Sequence, residues 1–391
     1  MNNNEIFAEA AAPQPSPSHI WENFKEWIRR NLKGDIIIWL IVVLLSLGSM
    51  LVVYSATGTL AYQHGGGYPE LFLLKHAGYL FVGLFVMWLV HRVNYTYFVR
   101  LSRAALFMSI PLLILVKVAG VTINGATRWL AIPGIGITFQ PADFARMALI
   151  ANLAAMLAKR QRVDYDWQVF TRMILWVGII CFCTALSSTS TAALLGITCF
   201  LMLFIGRVPA KYLLVMVLFI GVAGGLGLVF GQRLETAKGR IERFLANDEH
   251  QARQAIIAVA NGGTFGTGPG NSHQRNYLTQ AFSDFIYAII IEEYGLIGGA
   301  IVLILYLWLL VRGVKNISLT NRAFGGLLSA GLTLSIVIQA FANMTVAVGL
   351  VPVTGQPLPL LSMGGTSILF TCVSLGVVLS VSRGEADESK I

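Results

Sequence analysis

Asp143, Asp284, Glu292 and Glu293 are acidic residues set in or beside long apolar stretches, where a charge is costly unless it has a task or a partner. Asp284 stands where a basic, glycine-rich segment runs into Phe285-Ile286-Tyr287-Ala288-Ile289-Ile290-Ile291. A carboxylate at such a boundary, near cations, can act as general base on a substrate with a polar head and a lipid tail. It can equally be a helix N-terminal charge that complements the macrodipole. Asp143 and Arg146 are three apart just after Pro141, a residue suited to a helix's first turn, so they share a face and can pair. Either the pair ties two helices together, or Arg146 offers its charge to an anion while Asp143 orients it. Arg128, in Asn124-Gly125-Ala126-Thr127-Arg128-Trp129, suits phosphate binding, with snorkelling at a membrane interface as the alternative. Glu292 lies about 12 Å along the helix from Asp284 and roughly 80° round from it. A structural or cavity-lining role is expected for it and for Glu293. The glycine-rich stretch Asn261–Gly270 carries no phosphate-loop lysine and reads as a flexible loop or a weak backbone nest. The histidines have no zinc-like spacing, and Cys181, Cys183, Cys199 and Cys372 read as free, buried thiols in apolar runs.

The scaffold that must position these groups is a membrane protein. The chain has 391 residues, of which 56% are hydrophobic and 12% charged, against about 25% charged in a soluble domain. Its mean hydropathy is +0.70. Those figures exclude a soluble enzyme, a disordered chain and a nucleic-acid module, despite the net charge of +9. Three uncharged runs, Ile36–Pro69, Met173–Gly206 and Ala323–Ser382, are too long for single spans of roughly 20 residues. The second breaks at Ser187-Ser188-Thr189-Ser190, and the third at its Pro- and Gly-rich middle. With the remaining segments, the expected fold is all-α and polytopic, with about ten spans near 36–56, 71–90, 104–119, 141–158, 167–186, 190–206, 212–230, 284–311, 323–350 and 365–382.

Charge sets the orientation. With the N-terminus cytoplasmic, the inner side holds Lys25, Arg29, Arg30 and Lys33, then Arg92, Arg100 and Arg103, then Lys159, Arg160, Arg162 and Arg172, and the short basic loops at 207–211, 312–322 and 383–390. Both termini are then cytoplasmic. Residues 1–35 read as a tail with an interfacial amphipathic helix, or a partner-binding helix, built on Ile20, Trp21, Phe24, Trp27, Ile28 and Leu32. The first apolar run is too long for a cleavable signal. Residues 36–382 form the membrane domain and 383–391 a second tail. The large extracytoplasmic loop 231–283 is expected to hold an amphipathic helix with Leu234, Ala237, Ile241 and Phe244 on one face and Arg233, Lys238, Arg240 and Arg243 elsewhere. Loops of that length are often functional. No internal repeat argues for a transporter.

Several motifs resemble those of the SEDS family (shape, elongation, division and sporulation). Residues 277–288 with Glu292-Glu293-Tyr294-Gly295 are similar to its "TDFIFA…EELG" signature, and residues 261–270 to its "GGxFGxGxG" loop. Gly349–Gly365 resembles "GLxPxTGxPLPxxSxGG". Asn124–Trp129 and Gln140–Arg146 resemble "NGAxRW" and "QPxExxK". The chain departs from the pattern in three places. Asp143 and Arg146 stand for Glu and Lys, Ser187–Thr191 replaces a "QPDxxT"-like motif and its acid, and Gln254-Ala255 replaces "QS". The look is closer to the family's division branch than to its elongation branch.

The resemblance implies a SEDS-type fold and a peptidoglycan glycosyltransferase that polymerises lipid II at the outer face of the bacterial cytoplasmic membrane, at the division septum. Lipid II, a class B penicillin-binding protein transpeptidase and other division proteins are the implied partners; no nucleic acid is expected. Asp284 is the expected catalytic base. Substrate binding is expected of Arg128, Gln140, Asp143, Arg146, Thr354, Gln356 and Ser362, and support of Glu292, Glu293, Gly266 and Gly268. No cofactor is encoded; the charge on the leaving pyrophosphate can be met by Arg128 and Arg146 or by a divalent cation. A lipid II flippase and a non-catalytic division scaffold are the rival readings.

Overall fold

The computed structural model describes residues 26, 31–58, 68–123, 126–131, 138–160, 167–230, 234–246 and 250–388. Most of the 1–35 tail and its expected helix lie outside them, as do Asn124 and Gly125. Among the described residues, ten apolar helices build the bundle: α1 (Ile36–Ala56), α2 (Pro69–Val90), α3 (Tyr97–Ala119), α4 (Pro141–Ala158), α5 (Trp167–Ala185), α6 (Thr189–Ile205), α7 (Ala210–Phe230), α10 (Ile286–Leu319), α11 (Ala323–Ala347) and α12 (Gly365–Glu388), with α8 (Leu234–Leu245) and α9 (His250–Gly262) between α7 and α10. Eight of the ten are long and apolar enough to cross a membrane, and α6 and α7 are apolar helices grouped as shorter. The fold is all-α and polytopic, as the hydropathy predicts.

Helix starts follow local chemistry. Pro69 and Pro141 open α2 and α4 in first-turn positions where a missing N–H costs nothing. Ser188 caps α6, its hydroxyl accepting from Thr191 N, so the α5–α6 break falls at the expected serine pair. Asp35 caps α1 through Ile37 N at 2.9 Å and meets Arg312 Nε of α10 at 2.6 Å. Three helices outrun expectation, and α12 does so by running on to Glu388, past 382 and into the expected second tail. α3 starts at Tyr97 rather than 104, because the exposed Arg100 and Arg103 ride on the helix. α10 runs through Arg312 and Lys315 to Leu319. Long basic side chains keep their heads in water while their stems stay on the helix, so they do not end it.

α11 lies at the centre, buried along most of its length, and packs on α10, α4, α6 and α12. Inside a membrane, close van der Waals fit and interhelical hydrogen bonds hold helices together. Both occur between α10 and α11, where Gly313 backs onto Thr333 and Asn316 Nδ2 donates to Ser329 Oγ at 2.9 Å. The outward surface is apolar, as at Leu47 and Leu51 of α1 and Leu214 and Leu218 of α7. The four cysteines are buried free thiols.

One end of the bundle carries two features that hydropathy does not reveal. A small antiparallel sheet of β1 (Val121–Ile123), β2 (Ala126–Ala131) and β3 (Thr138–Phe139) leads from α3 into α4. The other is a break in α10 at Gly295, whose φ of 70° and ψ of −175° lie outside the helix region. Residues 262–268 dock into it, Thr267 N and Gly268 N donating to the carbonyls of Glu292 and Glu293 at 2.9 and 3.0 Å, and Leu296 N to Gly263 O at 2.9 Å. A Cβ on Gly266 or Gly295 would strike the facing backbone. A broken helix is tolerated at membrane depth when other protein groups satisfy its backbone, as here. The glycine stretch is therefore a packing device, with these two amides engaged rather than offered to phosphate.

Candidate functional site

Asp284 sits in a turn, two residues before α10 begins, rather than on the helix itself. Ser283 N and Phe285 N both donate to Gln280 O, at 3.1 and 3.3 Å, and the fully buried Phe285 ring anchors the turn. Three further bonds hold it from outside. Asn343 Nδ2 of α11 donates to Asp284 O at 2.8 Å, Ser362 Oγ to Ser283 O at 2.6 Å, and Met363 N to Phe282 O at 2.9 Å. The backbone is thus fixed while the carboxylate stays partly exposed.

Two arginines face that carboxylate. Arg128 lies on β2, and side chains alternate along a strand, so it points away from its neighbours Thr127 and Trp129. Its Nη1 donates to Gly355 O at 3.3 Å. Gly355 has φ +64°, and a Cβ there would lie 3.5 Å from both Arg128 Nη1 and Asp284 Oδ2. The loop glycine therefore separates guanidinium from carboxylate. Arg240, on the inward side of α8, donates to Val353 O at 3.4 Å. Burial pushes the Asp284 carboxyl above its ordinary range, while the Ser283 hydroxyl (3.2 Å) and the charges of Arg128 and Arg240 pull it back. The result is a carboxylate whose proton affinity exceeds that of a free aspartate, beside cations that suit an anion.

Four other expected contact residues are turned into the scaffold. Asp143 and Arg146 pair at 3.0 Å near the start of α4, with side chains 6% and 14% exposed. Arg146 Nη1 also donates to Gln339 Oε1 at 2.5 Å, and Gln339 Nε2 to Pro357 O at 2.9 Å. Gln356 Nε2 donates to Thr191 Oγ1 at 2.9 Å, and Ser362 Oγ accepts from Leu358 N at 2.7 Å. Together with Asn343 Nδ2 on Gln356 O at 2.8 Å, these bonds fix the 351–364 loop. The Ser188 and Thr191 hydroxyls, 2.8 Å apart, stand where the resembling motif has its acid. Gln140 occupies the N-cap of α4, its carbonyl accepting from Asp143 N at 3.2 Å. Thr354 Oγ1 is shielded from solvent and has no hydrogen-bond partner among the described residues.

Glu292 and Glu293 serve the broken helix. The Glu292 carboxylate accepts from Ser272 Oγ, from His273 N at 3.1 Å and from Gln274 N at 3.2 Å. Glu293 accepts from Ser55 Oγ of α1, and Arg275 Nη1 donates to the same hydroxyl at 3.0 Å. Gly266 and Gly268 supply the docking loop described above. Arg240, Gln339, Asn343 and Gly355 were not singled out from sequence as site residues. Arg240 was placed on the amphipathic helix, but periodicity separates its apolar face from its polar one without saying what the polar face meets.

Among the described residues, no group of three or more His, Cys, Asp or Glu side chains is placed to hold a metal. One carboxylate flanked by two guanidinium charges is a poor donor set for a divalent cation. The same set suits a phosphate-bearing ligand with a hydroxyl to deprotonate.

Comparison with known proteins agrees with this architecture. The FtsW/RodA/SpoVE family model, described as "Cell cycle protein", matches residues 35–387. A relative in Halomonas elongata named "Probable peptidoglycan glycosyltransferase FtsW" is 32% identical over 354 residues, covering 88% of this chain and 89% of its own. The crystal structure of the Thermus thermophilus rod shape determining protein RodA superposes with a TM-score of 0.65 at 25% identity, over 90% of this chain and 97% of that one. A chain from a structure described as "Structural coordination of polymerization and crosslinking by a peptidoglycan synthase complex" gives a TM-score of 0.67 at 24% identity, over 90% and 98%.

Proposed function

The chain belongs to the FtsW/RodA/SpoVE family of cell cycle proteins, and on that premise we propose that it is a peptidoglycan glycosyltransferase that polymerises lipid II during cell division. The observation that carries the reading is Asp284: a partly exposed carboxylate on a rigid turn, with raised proton affinity, between Arg128 and Arg240.

The acceptor's sugar 4-hydroxyl attacks the donor's anomeric carbon. Asp284 takes the hydroxyl proton, the new glycosidic bond forms, and the bond to the undecaprenyl pyrophosphate oxygen breaks. The growing negative charge on the leaving group is met by Arg128 and Arg240, so no acid need protonate it. Arg240 takes the part that spacing suggested for Arg146, whose guanidinium is engaged by Asp143 and Gln339. One displacement inverts the anomeric centre, so no second carboxylate is required. General-base catalysis of this kind contributes roughly 10²–10⁴-fold. Asp143, Arg146, Gln356 and Ser362 act by shaping the 351–364 loop.

The positive-inside pattern supports an orientation with Asp284 on the outer face of the cytoplasmic membrane and both termini inside. The relative named FtsW fits the division role that the motif resemblance implies, and the likeness to a chain of a complex that couples polymerization with crosslinking supports work beside a crosslinking partner, which the resemblance makes a class B penicillin-binding protein transpeptidase. Incubating the purified full chain with that partner and lipid II tests the reading. Glycan strands that disappear with Asp284→Ala are expected. Lipid moved across vesicles without polymer would make the chain a flippase, and partner binding with neither activity would make it a scaffold.

A further inference from the structure

A polar, ionisable ring inside a membrane bundle is costly and needs a partner or a task. His76 lies about two turns into α2 and is wholly buried. Its Nδ1 has no hydrogen-bond partner among the described residues. The ring meets the protein's polar groups at Nε2, 2.6 Å from Ser49 Oγ of α1, which is wholly buried too. Ser49 Oγ in turn donates to Leu361 O at 3.0 Å. A hydroxyl has one hydrogen, and a carbonyl can only accept. Both contacts are hydrogen bonds only when Ser49 gives its hydrogen to Leu361 and receives one from His76 Nε2. The histidine thereby fixes the direction in which the serine donates.

The carbonyl that receives this bond belongs to a strained turn. Leu360, buried, has φ +64°, in the left-handed region that a bulky side chain rarely adopts. Backbone of that kind persists only where its surroundings hold it. Here three carbonyls of the turn are each taken by a different helix. Gln339 Nε2 of α11 donates to Pro357 O at 2.9 Å, Tyr306 OH of α10 to Pro359 O, and Ser49 Oγ of α1 to Leu361 O. The two residues that follow hold the turn bearing Asp284, Ser362 Oγ donating to Ser283 O and Met363 N to Phe282 O. Contacts and chain thus run without a gap from His76 through Ser49, Leu361 and Ser362 to the residue before Asp284.

We propose that His76 is a positioning residue for the reaction at Asp284: by orienting the Ser49 hydroxyl it holds the strained 357–362 turn, and through it the Asp284 carboxylate, in place for the acceptor sugar. This role rests on the polymerase reading, but half of its test needs no catalysis. The purified full chain with its transpeptidase partner is given lipid II, and the single-turnover rate constant is measured. Hydrogen exchange over residues 280–285 and 357–364 is read in parallel by mass spectrometry. His76→Leu keeps the bulk and removes the donor. Its rate constant is expected to fall about 10–100-fold, as small misplacements of a reacting group do, while half-saturating lipid II moves by no more than about twofold. Exchange is expected to quicken in both segments. His76→Gln, which can present an N–H in the same place, is expected to recover most of the rate. A change that merely unfolds some molecules lowers the yield of the turnover and the melting temperature, but not the rate constant. Ser49→Ala removes the bond to Leu361 itself and should match His76→Leu in both measurements, so it carries the test if the leucine variant does not fold. A wild-type rate constant in the folded leucine or alanine variant would overturn the proposal. So would a glutamine variant as slow as the leucine one, or exchange unchanged in both segments. Wild type that makes no strands sinks the polymerase reading instead, and exchange then still decides whether His76 holds the turn.

Discussion

Asp143 and Asp284 stand near the starts of two helices, each close to arginine. Asp143 meets Arg146 at 3.0 Å and is almost wholly buried, and the pair continues through Gln339 to the Pro357 carbonyl. Asp284 is held by its backbone instead, through Asn343, while its carboxylate lies near Arg128 and Arg240 with a loop glycine between it and Arg128. Gln339 and Asn343 are four apart on α11, so one helix face serves both regions. A carboxylate locked to its cation is a strut. A carboxylate fixed at the main chain but open at its oxygens can exchange a proton.

Substitutions that separate activity from stability break or sharpen that contrast. Asp284→Asn keeps the shape and removes the base; strand synthesis should fall roughly 10²–10⁴-fold with an unchanged melting temperature. Asp143→Ala leaves Arg146 buried without its partner and should cost about 3–5 kcal/mol of stability, read by thermal unfolding in detergent. If instead Asp143→Ala melted like wild type and lost only rate, the two regions would not differ as described. Asn343→Ala, which strips the carbonyls of Asp284 and Gln356 of a donor, should cost about 1–3 kcal/mol and lower turnover as well, because it loosens both regions. Of the three changes that lower stability, Gly355→Ala should cost the least, about 1–2 kcal/mol from its positive φ. Its contacts at 3.5 Å are ordinary ones, so substrate affinity should change less than turnover.

Much of this was legible beforehand. Long apolar stretches locate the ten helices, and the serine pair at 187–188 marks a real turn. Asp284 stands out because a charge at the mouth of an apolar helix is rare. The break at Gly295 was not legible, because hydropathy is blind to φ and an apolar stretch reads alike whether its helix is whole or interrupted. The sheet around Arg128 was missed since strands of two to six residues carry too little alternation to register. Arg146 reads as a ligand for phosphate because spacing shows that it can reach Asp143, but not that Gln339 waits on the other side.

The central claim is that Asp284 works as a base whose proton affinity is set by burial against two arginines. A base must be deprotonated to act, so the rate of glycan synthesis should fall as pH drops through its pKa, and burial places that fall above the range of a free aspartate. Arg128 lowers the pKa, so Arg128→Gln should move the acid limb to higher pH, and Arg240→Gln should move it in the same direction. The measurement is therefore the pH dependence of single-turnover strand synthesis in wild type and Arg128→Gln. An upward-shifted limb is the expected result; a limb that stays in place, or moves down, would contradict the account.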